Sequence, residues 1–487
     1  MKKNVKALLA CFAALAVAGG GYAALKLTEE DSSSGGASSS ASDKLTSEIH
    51  VPLTAFEAAD VTLISIENEN GSYEAVPAGS PAEDGTVEMT IKGFEKLDVN
   101  KNLTSSILNS AKALSSETTV EENASDLDKY GLKEPRASFT VSSASDSKTV
   151  LIGNESPVSG ETYCMVKGDN TVYTAATANL SVFLNDDTDY ISNVILENPA
   201  DDQKPIMNKL TIARNDLDYD IVIEYDKSTD DGTTSGTMAT HFMTAPIFAY
   251  LDPEKSQDEV AGLFGLTASS VIAAYPDEAK IKGSGLDKPF CTVKMDCGDN
   301  SSYELKLGNK LDTENGVYYA AMFTDKDIIY AIDAESICWD DVVPDDIISR
   351  MVFGTYVWDI GKLEIEAEGK TVKFAGKGSS KDDYEVTKDG QKCDRERFQS
   401  FYSFLLKTSA EEFSINEVPQ GEPQAAVYLE TQNGETKQTV EFYKADGKKS
   451  LICVNGTPSF KCRTAFVDLL IENLSKFDSG EKFVVNW

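Results

Sequence analysis

Histidine is the first residue type to consider for catalysis, and the chain has only two, His50 and His241. His50 adjoins a Ser/Gly-rich stretch and His241 lies in a Thr/Met-rich stretch between predicted elements, so the H-E-x-x-H pattern of zinc hydrolases is absent. A Ser-His or Cys-His pair would depend on His241 alone. We therefore expect His241 to lie at the surface or to pack locally rather than to act in catalysis.

A serine three residues before a lysine, Ser145 and Lys148, has the spacing that Ser/Lys acyl-transfer enzymes use at a helix start. Here the pair falls in a predicted hairpin turn, and the companion motifs S-D-N and K-T-G are missing. We therefore interpret this stretch as a solvated turn.

Clusters of carboxylates are the next candidates, because Ca²⁺ prefers oxygen ligands. The loop that starts at Asp226 has Asp231 where an EF-hand requires glycine, and no matching glutamate ends it. We expect the clusters to be solvated loops or charges at helix starts, with adventitious cation binding as the alternative. With 80 acidic residues, a glycosidase site built from two carboxylates stays open as an alternative. The clusters are residues 186–189, 230–232, 340–341 and 345–346.

Aromatic residues are assigned to the core or its rim, because they have high strand propensity. A stacking platform for a glycan or a peptide is the alternative. The residues concerned are Tyr163, Tyr173, Tyr318, Tyr319, Tyr330, Trp339, Trp358 and Trp487.

The eight cysteines have wide, irregular spacing that resembles neither a disulfide framework nor a zinc ligand set. We predict that most of them are small apolar residues on strands. A single disulfide between Cys453 and Cys462 across a hairpin is the alternative. The sequence thus predicts no catalytic, metal or cofactor set.

The N-terminus predicts a membrane anchor over residues 1–27. Lys2, Lys3 and Lys6 precede residues 7–25, which carry no charge and would measure about 28 Å as a helix, close to the hydrocarbon thickness of a bilayer. Since positive charge stays on the cytoplasmic side, we expect a single-pass protein of the cell membrane with an extracytoplasmic C-terminal portion.

Two alternatives for this segment leave the side of the membrane unchanged. Ala16 and Ala18 form an A-x-A signal-peptide cleavage site, and the residues ending at Cys11 resemble a lipobox. Residues 28–48 follow as a Ser/Gly-rich linker that would hold a folded body near the bilayer.

Charge and composition limit the partners and the fold that the rest of the chain can have. A formal net charge of −35 repels nucleic acid, so no nucleic-acid partner is expected. Hydrophobic residues make up 41% of the chain, which supports globular folding, and its length predicts several domains.

A glycine shortly before a proline opens a strand three times, in YGLKEPRASFTV, SGLDKPFCTVKM and PQGEPQAAVYLE. Proline extends the residue before it, so the pattern indicates a turn that feeds a strand. A second strand follows as KTVLIGN, YELKLGN and, more loosely, QTVEFYK. The motif residues are Gly131, Leu132, Pro135, Gly153 and Asn154 in the first copy, Gly285, Leu286, Pro289, Gly308 and Asn309 in the second, and Gly421 and Pro423 in the third.

Around these motifs the same order recurs: a strand pair, a helix, a meander and a second helix. Periodicity predicts first helices at Leu103–Leu114, at Val260–Phe264 following a start at Asp252-Pro253, and, capped by Asp394, at Phe398–Leu405. It predicts second helices near residues 180–184, 334–342 and 465–474. We therefore predict an α+β fold of three tandem modules, each a mostly antiparallel sheet with two helices, over residues 49–200, 201–355 and, in divergent form, 356–487.

YGLKEP with KTVLIGN, and SGLDKP with YELKLGN, resemble the family called domain of unknown function, number 4340. The resemblance implies an anchored or exported bacterial protein associated with a gliding-motility-type ABC transporter, with an ABC-2-type permease and an ATPase as partners. The chain has no P-loop, so the ATPase must be another chain. We expect a non-enzymatic accessory or binding protein; the alternatives are a cell-envelope polysaccharide hydrolase and a structural or adhesion repeat protein.

Overall fold

Period-two apolar patterns form three antiparallel sheets in the computed structural model, which describes residues 50–158, 160–230, 236–378, 380–408 and 410–486. Apolar residues four and six positions after each motif proline face the core, because side chains alternate between the faces of a strand. Phe139, Val141, Val293, Met295, Val427 and Leu429 are all 0% exposed. The predicted inward face of these three strands is thereby confirmed.

The first sheet has the edge-to-edge order β3-β2-β1-β5-β6-β7-β8-β4. Its strands are β1 Val61–Asn68, β2 Gly71–Pro77, β3 Met89–Ile91, β4 Thr118–Glu121, β5 Ala137–Ser143, β6 Ser147–Glu155, β7 Glu161–Val166 and β8 Val172–Ala176.

The second sheet has the order β12-β11-β10-β9-β14-β15-β16-β17-β13. Its strands are β9 Met207–Arg214, β10 Ile221–Tyr225, β11 His241–Ala245, β12 Ala249–Tyr250, β13 Ser270–Ala274, β14 Cys291–Cys297, β15 Ser302–Thr313, β16 Gly316–Phe323 and β17 Ile328–Asp333.

The third sheet has the order β21-β20-β19-β18-β23-β24-β25-β26-β22. Its strands are β18 Ile360–Ala367, β19 Lys370–Lys377, β20 Glu385–Lys388, β21 Gln391–Lys392, β22 Glu412–Phe413, β23 Ala425–Thr431, β24 Lys437–Lys444, β25 Lys449–Val454 and β26 Thr457–Arg463.

The three sheets share one topology. In each, the first strand of the upstream hairpin pairs antiparallel with the first strand of the meander, as in β1 with β5. The short strand that precedes the motif glycine, β4, β13 or β22, crosses to the far edge and pairs antiparallel with the last meander strand. The repeat inferred from the three glycine-proline motifs is therefore a repeat of a whole sheet.

Helices are few and are longest beside the first and third sheets. Asn100 caps the first long helix by accepting from the backbone of Leu103 at 3.3 Å, and Asp394 caps another by accepting from Arg397 N at 2.7 Å. The helices are α1 Lys101–Lys112, α2 Thr177–Leu180, α3 Gln257–Ala261, α4 Glu278–Gly283, α5 Pro344–Ile347, α6 Arg395–Leu405 and α7 Thr464–Ser475.

Both helices predicted for the second module are shorter than expected. α3 ends at Gly262, whose φ of +64° leaves the helical region, so Leu263 and Phe264 lie in a loop. The predicted helix at residues 334–342 is a 3-10 turn at Ala334–Ser336, and α5 begins only at Pro344, a residue favoured in a first helical turn.

Among the described residues, no helix combines the length and the apolar composition that crossing a bilayer requires. The predicted anchor at residues 7–25, its Ala16–Ala18 cleavage site, Cys11 and the linker at residues 28–48 all lie outside those residues, as does Trp487. The anchor therefore stays a prediction.

Candidate functional site

In the first two motif copies, the glycine of the turn contacts the asparagine of the second meander strand, Gly131 with Asn154 and Gly285 with Asn309. We call this contact the lock. Gly131 and Gly285 have φ of +68° and +72°, in the left-handed region that other residues avoid. A Cβ on Gly131 would come within 2.5 Å of the Asn154 side chain, and one on Gly285 would collide with the Asn309 side chain. Asn309 Nδ2 in turn donates to Gly283 O at 2.9 Å. Glycine and asparagine therefore meet in space although they lie more than twenty positions apart in sequence.

The glycine before each asparagine completes this lock. A Cβ on Gly153 would collide with the carbonyl oxygen of Tyr130, and one on Gly308 would collide with that of Ser284. The backbone of the turn can therefore lie directly on the strand only because these positions lack a side chain.

The motif leucines anchor the turn in small apolar clusters apart from the main core. Leu132 is 2% exposed and packs with Tyr130, Met165 and Val172. Leu286 is 4% exposed and packs with other apolar side chains, Ala320 and Ile329. The residues of the first two motif copies are thus explained by packing and backbone geometry rather than by chemistry.

The prolines open the sheet ladder in all three copies. The residue after Pro135, Pro289 and Pro423 donates its N–H to the second meander strand, at 2.9, 2.8 and 2.7 Å. Gly421 has φ of +73°, but a Cβ there would meet nothing within 4 Å. The third turn therefore has the shape of the others without their lock.

His241 is buried at the start of β11, so its predicted place between elements is wrong, while local packing is confirmed. Its Nε2 lies 2.9 Å from Met207 O and its Nδ1 lies 2.9 Å from Thr240 Oγ1. Nδ1 accepts from the hydroxyl when Nε2 carries the proton. Burial lowers the pKa of His241, against the opposing effects of the Met207 hydrogen bond and the Asp226 charge.

Ser145 lies in the predicted hairpin turn between β5 and β6, and Lys148 is the second residue of β6. Ser143 N donates to Asp146 O at 2.8 Å across this turn, and Asp146 N donates to Ser143 Oγ at 3.1 Å. The turn interpretation is confirmed.

The described cysteines are free thiols, at positions 164, 291, 297, 338, 393, 453 and 462. In the β25–β26 register Cys453 faces Pro458 and Cys462 faces Ser450, so the alternative disulfide between these two cysteines is not formed. Within the described ranges, no group of three or more His, Cys, Asp or Glu side chains is arranged to hold a metal ion.

Two of the acidic clusters, at residues 186–189 and 345–346, lie at the starts of helical turns, as expected. Asp226 accepts from Ser228 N at 3.0 Å at the start of a 3-10 turn, whereas Asp231 lies outside the described residues. Asp186 caps a second 3-10 turn by accepting from Thr188 N at 3.1 Å, and its own N–H donates to Asp189 at 2.9 Å.

Asp187, in the cluster at residues 186–189, has an unusual pKa. Burial, together with the hydrogen bond and charge of Asp186, raises the pKa of Asp187 to about 6. The same hydrogen bond lowers the pKa of Asp186. Asp187 also lines an open groove of about 480 Å³ on the first sheet, which we call the polar groove and which contains Glu67, Tyr73 and Glu74.

A second groove, the junction groove, lies between the first and second sheets and measures about 780 Å³. Residues 97–99, 101, 192 and 194–197 form one wall, and residues 302–303 and 323–326 form the other. Lys326 joins the walls: its Nζ donates to Val194 O at 3.2 Å and pairs with Asp98 at 3.4 Å.

Aromatic rings form the floor of the junction groove on the side of the second sheet. Tyr303 and Phe323 stack with centroids 5.9 Å apart, and Phe264 packs edge-on against Tyr303 at 6.1 Å. Sequence reasoning did not identify this groove, because its residues come from four separate segments and share no motif. Period-two patterning does place Tyr303 and Phe323 on neighbouring strands, which is the one signal available.

Comparison with known proteins identifies a family and no individual relative. The family model described as "Domain of unknown function (DUF4340)" matches residues 90–289 and 242–428. These ranges contain both locked copies of the motif, and the second range ends within β23. No curated protein and no solved structure matches the chain. Since the matched ranges cover well over half of its length, the chain belongs to the DUF4340 family.

Proposed function

We propose that this protein is a non-enzymatic accessory or binding subunit, held in the cell membrane by residues 7–25, with its sheets on the extracytoplasmic side. It partners an ABC-2-type permease and a separate ATPase chain. The observation that carries the proposal is the junction groove, because clefts between domains are frequent binding sites.

The lining of the junction groove suits a segment of a partner protein. Tyr303 and Phe323 offer stacked apolar surface, while Lys101, Glu197 and Asp325 offer charge of both signs. Interfaces characteristically combine aromatic anchors with a polar rim.

Co-purification from detergent-solubilised membranes tests the proposal. We expect a tagged full-length chain to retain the permease and the ATPase, and the double variant Tyr303→Ala/Lys101→Glu to lose most of both. Lys370→Glu, at the exposed start of β19, is the matched control and should retain them. If the unaltered chain retains neither protein, the accessory role is wrong; if the double variant binds like the control, the junction groove is not the interface.

A second candidate function, hydrolysis of a cell-envelope polysaccharide, is favoured by one observation at Asp187. A carboxyl group in a groove whose pKa is raised toward neutrality is typical of a general acid, and burial beside Asp186 raises the pKa of Asp187 to about 6. In this role Asp187 would protonate the leaving oxygen, with Glu67 or Glu74 of the polar groove as the second carboxylate.

Release of reducing ends from purified wall polysaccharide tests this second function. Turnover should decline as the pH rises above about 6, because Asp187 then loses its proton. Asp187→Asn should abolish turnover, whereas Glu83→Gln, at an exposed carboxylate elsewhere, should leave it unchanged. Absence of turnover by the unaltered chain, or unchanged turnover by Asp187→Asn, removes this candidate.

A further inference from the structure

Tyr275, directly after β13, has a backbone conformation that aromatic residues rarely adopt. Its φ is +47°, in the left-handed region, and it is the one aromatic residue with positive φ among the residues that the structure describes. This conformation brings a Cβ close to the following carbonyl oxygen, so it persists only where the surrounding structure holds it. Tyr275 is also 44% exposed, so burial in a core does not account for it.

The first and third sheets have asparagine near the corresponding position. Asn123 lies two residues after β4, with φ of +55°, and Asn416 lies three residues after β22, with φ of +61°. Asparagine tolerates the left-handed region because its short side chain can form local hydrogen bonds. β4, β13 and β22 occupy the same edge of their sheets. A left-handed residue after this edge strand is therefore a feature of the repeat, and a tyrosine in the second copy needs a separate explanation.

The ring of Tyr275 contacts the first module. It packs against the ring of Phe94 with centroids 6.4 Å apart and ring planes tilted by 51°, within the range of favourable aromatic pairs. Phe94 O accepts from Leu97 N at 2.9 Å, and Leu97 and Asp98 lie in one wall of the junction groove. The ring therefore packs on the turn that leads into this wall.

The backbone of Tyr275 is bonded to the opposite wall. Tyr275 N donates to Asp327 O at 2.7 Å, and Asp327 directly follows Asp325 and Lys326, which line that wall. Lys326 joins the two walls through its ion pair with Asp98. Tyr275 joins them a second time, by its ring on one side and by its backbone on the other.

We propose that Tyr275 is a positioning residue of the junction groove, which holds the two walls at the spacing that the partner protein requires. The proposal rests on the function proposed above, because it concerns the same groove. Tyrosine in a left-handed conformation lowers stability, but it provides a contact with Phe94 that the shorter asparagine would not reach. Binding sites commonly retain strain of this kind, because removing it would cost function.

Tyr275→Asn and Tyr275→Phe separate this role from ordinary packing. Asparagine suits the backbone, so the urea midpoint of Tyr275→Asn should equal or exceed that of the unaltered chain. Because the ring contact is lost, amide hydrogen exchange in residues 94–101 and 323–327 should accelerate by about two- to tenfold, the usual effect of losing one aromatic pair. Exchange in β24 and β25 should not change. Tyr275→Phe keeps the ring and should exchange like the unaltered chain.

Co-purification from detergent-solubilised membranes connects the spacing of the walls to binding. Tyr275→Asn should retain roughly two- to tenfold less permease and ATPase than Tyr275→Phe. Tyr356→Asn is the matched control and should retain both, because it removes a ring of similar exposure, 38%, that does not line the junction groove.

Four results would overturn the proposal. They are unchanged exchange in Tyr275→Asn, equal acceleration in Tyr275→Asn and Tyr275→Phe, a lowered urea midpoint with exchange accelerated in all three sheets, and full retention of both partners by Tyr275→Asn. Failure of the unaltered chain to retain either partner would contradict the accessory function instead. The exchange measurement would then still decide whether Tyr275 holds the walls.

Discussion

His241 shows how one buried titratable group makes stability depend on pH. Burial lowers its pKa in the folded chain below the value near 6.5 that an exposed histidine has. At a pH between these two values the unfolded chain binds more protons than the folded chain, so stability rises with pH. The contribution is fully present above about pH 6.5 and is lost as the pH falls toward the folded pKa.

We therefore expect the urea midpoint of the unaltered chain to fall between about pH 7 and pH 5 more steeply than that of His241→Gln. Glutamine keeps an N–H donor for Met207 O but does not titrate in this range. Because carboxylates titrate equally in both proteins, the difference between the two curves isolates His241. Parallel curves would contradict the assignment.

At the scale of single residues, the sequence predicts which residue types are too rare for a catalytic role, but it does not predict which side chains are buried. The shortage of histidine in the chain argues against imidazole catalysis without any structure. The raised pKa of Asp187 and the unpaired Nε1 of Trp339 both depend on burial in the folded chain, so residue types alone could not indicate them.

At the scale of elements, the locked turns explain why the first two motif copies have Ile/Leu-Gly-Asn and the third does not. Asn309 fills the space beside Gly285, while the space beside Gly421 is empty. The spacing of the motif is therefore a packing requirement between a turn and the second strand of its meander.

Gly285→Ala should lower the free energy of unfolding by about 3 kcal/mol, because left-handed backbone costs about 1–2 kcal/mol and the collision with Asn309 adds strain. Gly421→Ala is the matched control: it has the same backbone conformation without the collision, so about 1 kcal/mol is expected. Urea denaturation of both variants measures the difference. Equal losses would show that the lock contributes nothing.

Element prediction succeeded where local signals agree. Asp394 with the apolar stripe that follows it predicted α6 correctly, since cap and periodicity indicate the same start. The second module differs because Gly262 and Gly265 both have positive φ, which ends α3 after five residues. Apolar spacing at Val260, Leu263 and Phe264 favoured a helix, and Gly262, between the first two of them, prevented it.

At the scale of the whole molecule, Arg350 links the second and third sheets. Its Nη1 donates to Ala410 O at 3.1 Å and to Glu411 O at 2.8 Å, and its Nη2 pairs with Asp345 at 2.6 Å. Phe248 N also donates to Ser459 Oγ at 3.0 Å between these sheets. Bonds of this kind couple the unfolding of neighbouring repeats.

Arg350→Ala should lower the free energy of unfolding by about 1–2 kcal/mol and broaden the thermal transition, because hydrogen bonds from a charged donor are lost between two sheets. Arg395→Ala is the control, since Arg395 donates to Asp382 O at 2.8 Å and both residues belong to the third module. Differential scanning calorimetry distinguishes the two: a transition of unchanged width in Arg350→Ala would show that this link does not couple the sheets.

Three sheets were expected from the repeats, and their antiparallel α+β character is confirmed. The junction groove was not predicted, because it is built where separate segments meet. Periodicity reports which face of a strand is buried, but it carries no information about the surfaces between sheets.

The order of strands at the far edge of each sheet also determines how the chain folds as it is made. Within the part of the chain that the structure describes, β4, β13 and β22 each pair only with the last strand of their own meander. As the polypeptide emerges from a ribosome or a translocon, the backbone N–H and C=O groups of each of these strands stay unpaired until the last meander strand has emerged. Each sheet is therefore complete only after its whole repeat has emerged. A chain truncated within a meander has an unpaired strand, and such a strand can pair with other chains and promote aggregation.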